Sequence, residues 1–202
     1  MGMGTEAKEQ LFWGWFAANK NSFQVDDMPE ESMVRPLNAA LALYDDALAW
    51  EIFRTDDGLR QLVISADGNI DAFPAVERLC AAAPELDGWL ITAFRPAIGL
   101  DFHVEYGGLS LDPKEIWIEP VMSPEALDII FYLPDFEEEK RELFIGGCFI
   151  LMDMALGEYD AVKKIRYVDH GPAIDNPEEA GLVPLLELPA VIAYYYEYRT
   201  GN

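Results

Sequence analysis

LVISADGNIDAFPAVERLCAAAPELDGWLITAFRP, residues 62 to 96, reads as strand, turn, helix and strand without a break in its patterning. Leu62, Val63 and Ile64 form an apolar run rich in β-branched residues, and Asp67-Gly68 is a turn dipeptide. Pro74 suits the first turn of a helix, where a missing N–H breaks no intrahelical bond. Gly88 followed by Trp89, Leu90 and Ile91 restarts a strand. The stretch describes scaffold and contains no recognised device for chemistry.

The pattern extends in both directions. Upstream, Trp50 to Phe53 and Gln61 to Ile64 bracket the turn Asp56-Asp57-Gly58 and predict a hairpin. Residues Thr5 to Lys20 place Leu11, Phe12, Trp15 and Phe16 at helical spacing. Asp26, Asp27, Pro29, Glu30 and Glu31 then mark a solvated loop before Pro36 opens a second helix. Downstream, Phe102 to Tyr106 and Leu109 to Leu111 predict a hairpin about Gly107-Gly108, and Ile116 to Ile118 and Leu127 to Tyr132 predict paired strands. A helix from Phe136 to Leu156, closed by Gly157, and a strand from Lys163 to Val168 follow. Hairpin, helix and strand thus occur twice, over residues 49–96 and 115–169. The expected fold is α+β: one compact domain over residues 1–202, with a mixed, mostly antiparallel sheet and helices packed on one face.

Composition bounds the class. A content of 51% hydrophobic residues is enough to bury a core, which excludes a disordered chain. Asp and Glu number 37 against 14 Lys and Arg, a formal net charge of −23. The excess is not confined to a tail: residues 1–100 hold sixteen acidic and seven basic side chains, and residues 101–202 hold twenty-one and seven. Such a field repels nucleic acid and anionic lipid and steers basic proteins toward the surface, beyond its general role in solubility. Cys80 and Cys148 sit in apolar helical stretches, as reduced buried thiols do. The opening MGMGTEAKEQ lacks a basic segment leading into an apolar one, and the longest apolar run, Leu143 to Met152, is far short of the ~20 residues of a membrane span. A cytoplasmic protein with no membrane association is expected.

Ser65-Ala66-Asp67-Gly68, Phe73-Pro74-Ala75-Val76, Ala82-Ala83-Pro84 with Gly88-Trp89, and Ala93-Phe94-Arg95-Pro96 carry a resemblance. So do Phe12-Trp13-Gly14-Trp15-Phe16 with Asn19, and Leu156-Gly157-Glu158-Tyr159-Asp160. In these residues the chain resembles a family of uncharacterised bacterial proteins, a domain of unknown function. The resemblance implies one bacterial domain and brings no activity, cofactor or catalytic residue with it.

A search for chemistry returns mainly negatives. No GxGxxG, Walker loop, GxSxG, HExxH or CxxC is present. His103-Val104-Glu105 matches the HxE of zinc deaminases but lacks the PCxxC partner, and Asp67 and Asn69 lack the spacing of a calcium loop. A Cys–His nucleophile pair would need a spatial coincidence that spacing does not show. No metal and no cofactor is implied. Asp135 to Glu139 read as charge complementing the start of the long helix.

Three polar residues stand in apolar surroundings: Arg95 at a strand end, Asp153 after ten apolar residues, and Glu158 just past the helix terminus. Pairing of Arg95 with Asp153 or Glu158 would make a structural clamp, and an unpaired Arg95 fork would make a site for a ligand carboxylate. The helix carrying Asp153 also holds Gly146-Gly147, a pair that costs about 1 kcal/mol per residue unless something packs closely there. Phe12, Trp13, Trp15 and Phe16 exceed one helix face, which places Trp13 at a subunit or partner surface. Tyr194, Tyr195 and Tyr198 raise the same interface reading at the C-terminus, in a segment open to helix or edge strand. The alternatives for these rings are cover for the core ends or an interface, most simply a symmetric homodimer.

Two function classes remain. One is a non-catalytic interaction or regulatory protein, immunity-like in character, whose acidic surface binds a basic protein partner. The other is a small-molecule-binding protein or enzyme with an arginine/carboxylate site. The first accounts for the charge and the empty motif search, and is preferred.

Overall fold

The computed structural model describes residues 5–23 and 31–200, except the side chains of Thr5, Glu6, Glu31, Ser32, Tyr198 and Thr200. The expected acidic loop at Asp26 to Glu30 lies outside the described residues. The fold is α+β. The chain divides into two compact units, Met1–Arg95 and Pro96–Asn202. The strands form three separate sheets rather than one continuous sheet.

In the first unit, helices α1 (Thr5–Asn19) and α2 (Glu31–Tyr44) precede strands β1 (Ala49–Arg54) and β2 (Arg60–Ser65), helix α3 (Phe73–Ala81) and strand β3 (Trp89–Ala93). α1 and α2 run antiparallel, with Lys8 Nζ donating to the carbonyl of Tyr44 at the far end of α2 (3.1 Å). Glu9, Phe12, Trp13 and Phe16 are buried. They occupy the i, i+3, i+4, i+7 stripe of α1.

This corrects the placement of Trp13 at a surface. The inward stripe is displaced from the one expected, leaving Leu11 58% exposed. Trp13 satisfies its only polar atom by donating Nε1–H to the carbonyl of Leu79 (2.8 Å). Phe16 and Phe23 pack edge-on to Trp89, with ring centroids 5.0 and 6.2 Å apart. Pro36 lies inside α2, not at its start. The chain gives up the one bond that Pro36 cannot make and keeps the turn before it.

β1 and β2 form the expected antiparallel hairpin. β3 then pairs parallel to β2 after the α3 crossover, giving the order β1-β2-β3. Pro74 stands in the first turn of α3. Every residue of β2 from Gln61 to Ser65 is buried, so both faces of this central strand are covered. Gln61 meets the cost of burial by donating to the Thr92 hydroxyl (2.7 Å).

The second unit opens with the hairpin β4 (Val104–Tyr106) and β5 (Leu109–Leu111). Its two-residue turn, Gly107 and Gly108, has φ of 56° and 87°, as a tight hairpin turn of this hand requires. There follow β6 (Trp117–Met122), β7 (Leu127–Leu133), α4 (Arg141–Leu156), α5 (Glu158–Lys164), β8 (Tyr167–Pro172), β9 (Val183–Pro184) and α6 (Leu188–Thr200). The sheet order is β8-β7-β6-β9, with β6 antiparallel to β7 and β8 parallel to β7.

β7 alternates buried and half-buried along its length, so one of its faces carries the core. Gly146 and Gly147 are where the β4–β5 hairpin approaches α4: a Cβ on Gly146 would stand 2.7 Å from the Tyr106 ring, and one on Gly147 2.5 Å from Leu111 Cδ1. The glycine pair is the close-packing surface its cost demanded.

The long helix starts later than expected, at Arg141, after a short 3-10 turn in which Glu137 pairs with Lys140 (2.7 Å) and Glu138 with Arg141 (3.3 Å). The expected strand from Lys163 begins later too, since α5 runs through Lys164. The C-terminal segment is helical: Leu188, Ile192 and Tyr195 are buried at i, i+4 and i+7, and the Tyr195 hydroxyl donates to the Ser123 carbonyl (2.8 Å). Among the described residues no helix is long and apolar enough to cross a membrane.

Candidate functional site

Because β2 and β3 are parallel, the residues that follow them emerge at the same edge of the sheet. Two of these, Asp67 (φ 53°) and Phe94 (φ 65°), adopt the left-handed region without being glycine. For an aromatic residue that conformation is uncommon and is held only where surrounding contacts over-determine it. The Phe94 amide donates to the Ile64 carbonyl (2.8 Å), and its ring lies 4.5 Å from that of Phe73. The reversal at Phe94 carries Arg95 over the strand ends. There its Nε donates to Glu51 Oε1 and its terminal nitrogen to Asp67 Oδ1, both at 2.5 Å.

The Arg95 guanidinium is therefore divided between a carboxylate of β1 and one of the turn after β2. Partial desolvation pulls its pKa down, but the bonds it donates to Asp67 and Glu51 outweigh that and hold the group charged above its ordinary range. An arginine engaged in this way ties three chain segments together and does not offer an open fork: an incoming carboxylate would have to displace Asp67 or Glu51. The two acids leave the cluster net negative. Neither partner was anticipated from the sequence. Asp67 read as a turn residue without the spacing of a calcium loop, and Glu51 only as part of a strand; the signal that would have found them is the parallel crossover, which brings the SADG and AFRP stretches to one edge.

The other sequence candidates fall in the second unit or in the core. Asp153 lies in the last turn of α4, where its carbonyl accepts the Gly157 amide (2.8 Å), and Glu158 is fully buried as the first residue of α5. Of the interface candidates, Trp13 and Tyr195 are buried, which removes both from an exposed surface, whereas Tyr194 is 62% exposed. The side chain of Tyr198 lies outside the described residues.

Both thiols and one of the two imidazoles are shielded. Burial pushes the Cys80 thiol up to about 12 and raises that of Cys148 too, so neither is a thiolate nucleophile near neutrality. His103 is exposed and lies 3.6 Å from Asp112. His170 is buried, and its Nε2–H donates to the Arg141 carbonyl (3.0 Å), which fixes the tautomer and leaves Nδ1 buried without a hydrogen-bond partner. The neighbouring Asp169 carboxyl is held below its usual range by the His170 backbone N–H and by Arg141. Among the described residues no group of three His, Cys, Asp or Glu side chains is placed to hold a metal ion. Comparison with family models, with curated proteins and with solved structures finds no match.

Proposed function

We propose that this protein is a non-catalytic, cytoplasmic interaction module whose acidic surface captures a basic protein partner. What supports the reading is the spread of the acidic excess over both compact units, with exposed carboxylates such as Asp46, Asp56 and Asp57 in one and Asp175, Glu178 and Glu179 in the other. Most groups that could have carried chemistry are engaged or buried: Arg95 lies between two carboxylates, the thiols have raised pKa and His170 is inside the second unit, while His103 is exposed beside Asp112.

Affinity capture from the source-cell lysate at about 50 mM and about 500 mM salt tests this, because exposed charge pairs are screened between those limits. One basic protein retained stoichiometrically at low salt and released at high salt is the expected result. Retention that ignores salt, or no basic protein at low salt, overturns the reading. Self-association through exposed aromatics such as Tyr194 is the competing use of the surface, and sedimentation at the same two salt concentrations separates the two.

A further inference from the structure

α1 and α2 each carry a second stripe, distinct from the one that enters the core. Leu11 and Trp15 on α1, and Ala39, Ala40 and Leu43 on α2, line a cavity of about 500 Å³ between the two helices, with Lys8 among its walls. The volume lies within the roughly 300–1,000 Å³ of small-molecule sites, and the wall is apolar and aromatic as in such sites. Leu11 and Leu43 remain 58% and 79% exposed at its rim, so apolar surface here is left in water by the chain's own packing.

On a chain with 37 acidic residues, this wall includes no carboxylate, and its one charged residue is Lys8. The Lys8 ammonium gives one hydrogen bond to the Tyr44 carbonyl, which holds it beside the C-terminal end of α2. An ammonium has three donors, so two are left for a ligand.

We propose that the α1–α2 cavity binds a hydrophobic carboxylate, a medium-chain acyl or aryl acid, with the apolar body between the helices and the carboxylate on Lys8. The negative field of the whole chain does not forbid this. Exposed charges beyond about 8 Å are largely screened at physiological ionic strength, whereas Lys8 is in contact with the ligand. The site is independent of the acidic surface assigned to a protein partner.

The test is titration of the full chain with dansyl-labelled undecanoate, followed by displacement with decanoate, decanol and decylamine. Saturable binding, with decanoate displacing about tenfold better than decanol and better still than decylamine, is expected. Lys8→Met should remove the preference for the acid over the alcohol, and Ala40→Phe, which fills the cavity, should weaken the acid and the alcohol alike. Far-UV circular dichroism checks that both variants fold, and the wild-type preference stands without either. The proposal is overturned by non-saturable binding, by decylamine displacing as well as decanoate, or by an acid preference that survives Lys8→Met. It is equally overturned if sedimentation shows a dimer dispersed by Leu43→Glu, since the occupant is then a second copy.

Discussion

Residues 49–96 and 115–169 are built on the same plan and finished differently. In each, an antiparallel hairpin is followed by helix and then by a strand that pairs parallel to the second hairpin strand, giving β1-β2-β3 in one unit and β6-β7-β8 in the other. The first unit crosses over with the nine-residue α3, and its middle strand is buried on both faces. The second crosses over with α4 and α5, and β7 buries only alternate residues deeply.

What differs is what presses on the helices. α4 receives a hairpin against its bare backbone at Gly146 and Gly147, while Gly14 of α1 has open space where a Cβ would stand. A shared topology thus does not dictate where tolerance to substitution lies; local packing does.

The largest effect should come from emptying either core. Phe16→Ala and Phe131→Ala each remove a fully buried ring and should cost about 3–5 kcal/mol in urea unfolding followed by circular dichroism. Loss of one transition in each variant would show two units unfolding apart, and a common shift would show one cooperative body.

Gly147→Ala should destabilise by about 1–3 kcal/mol, because its Cβ meets the buried Leu111 at 2.5 Å; no change would mean that the hairpin rides freely on α4. Arg95→Ala should cost about 1–2 kcal/mol, since it leaves Glu51 and Asp67 facing each other without a cation, whereas Lys114→Ala on the exposed surface should be near neutral. Equal melting points would remove the clamp. Gly14→Ala should have the opposite sign to Gly147→Ala and stabilise by about 0.5–1 kcal/mol in the same assay.

The smallest effect concerns pH. Asp169 has a depressed pKa in the folded chain, so it contributes stability above the unfolded carboxyl range near about 3.9, and that contribution is lost as pH falls through the folded value. Half-exposure keeps it below about 1 kcal/mol. Melting curves of Asp169→Asn should lie below wild type at neutral pH and converge with it in acid.

The elements marked by turn chemistry were legible in the sequence. The hairpins at Asp56-Asp57-Gly58 and Gly107-Gly108, the start of α3 at Pro74 and the end of α4 at Gly157 all rest on residues whose backbone preferences are local. Trp13 was not legible: one residue of stripe rotation decides whether it points in or out, and its partner, the Leu79 carbonyl, is 66 positions away. Nor was the start of α2, since Pro36 ordinarily marks a first turn. The Arg95 cluster was half legible. Arg95 stood out at its strand end, but its partners depend on a parallel pairing that spacing along the chain does not reveal.

Four of the five tryptophans, Trp13, Trp15, Trp50 and Trp89, lie in Met1–Arg95, and Trp117 alone lies in Pro96–Asn202. The indole of Trp13, sealed at 3% exposure with its N–H on a carbonyl, sits among the aromatic rings Phe12 and Phe16. The molecule therefore carries its own optical asymmetry: tryptophan emission reports chiefly on the first unit, while amide absorption reports on both.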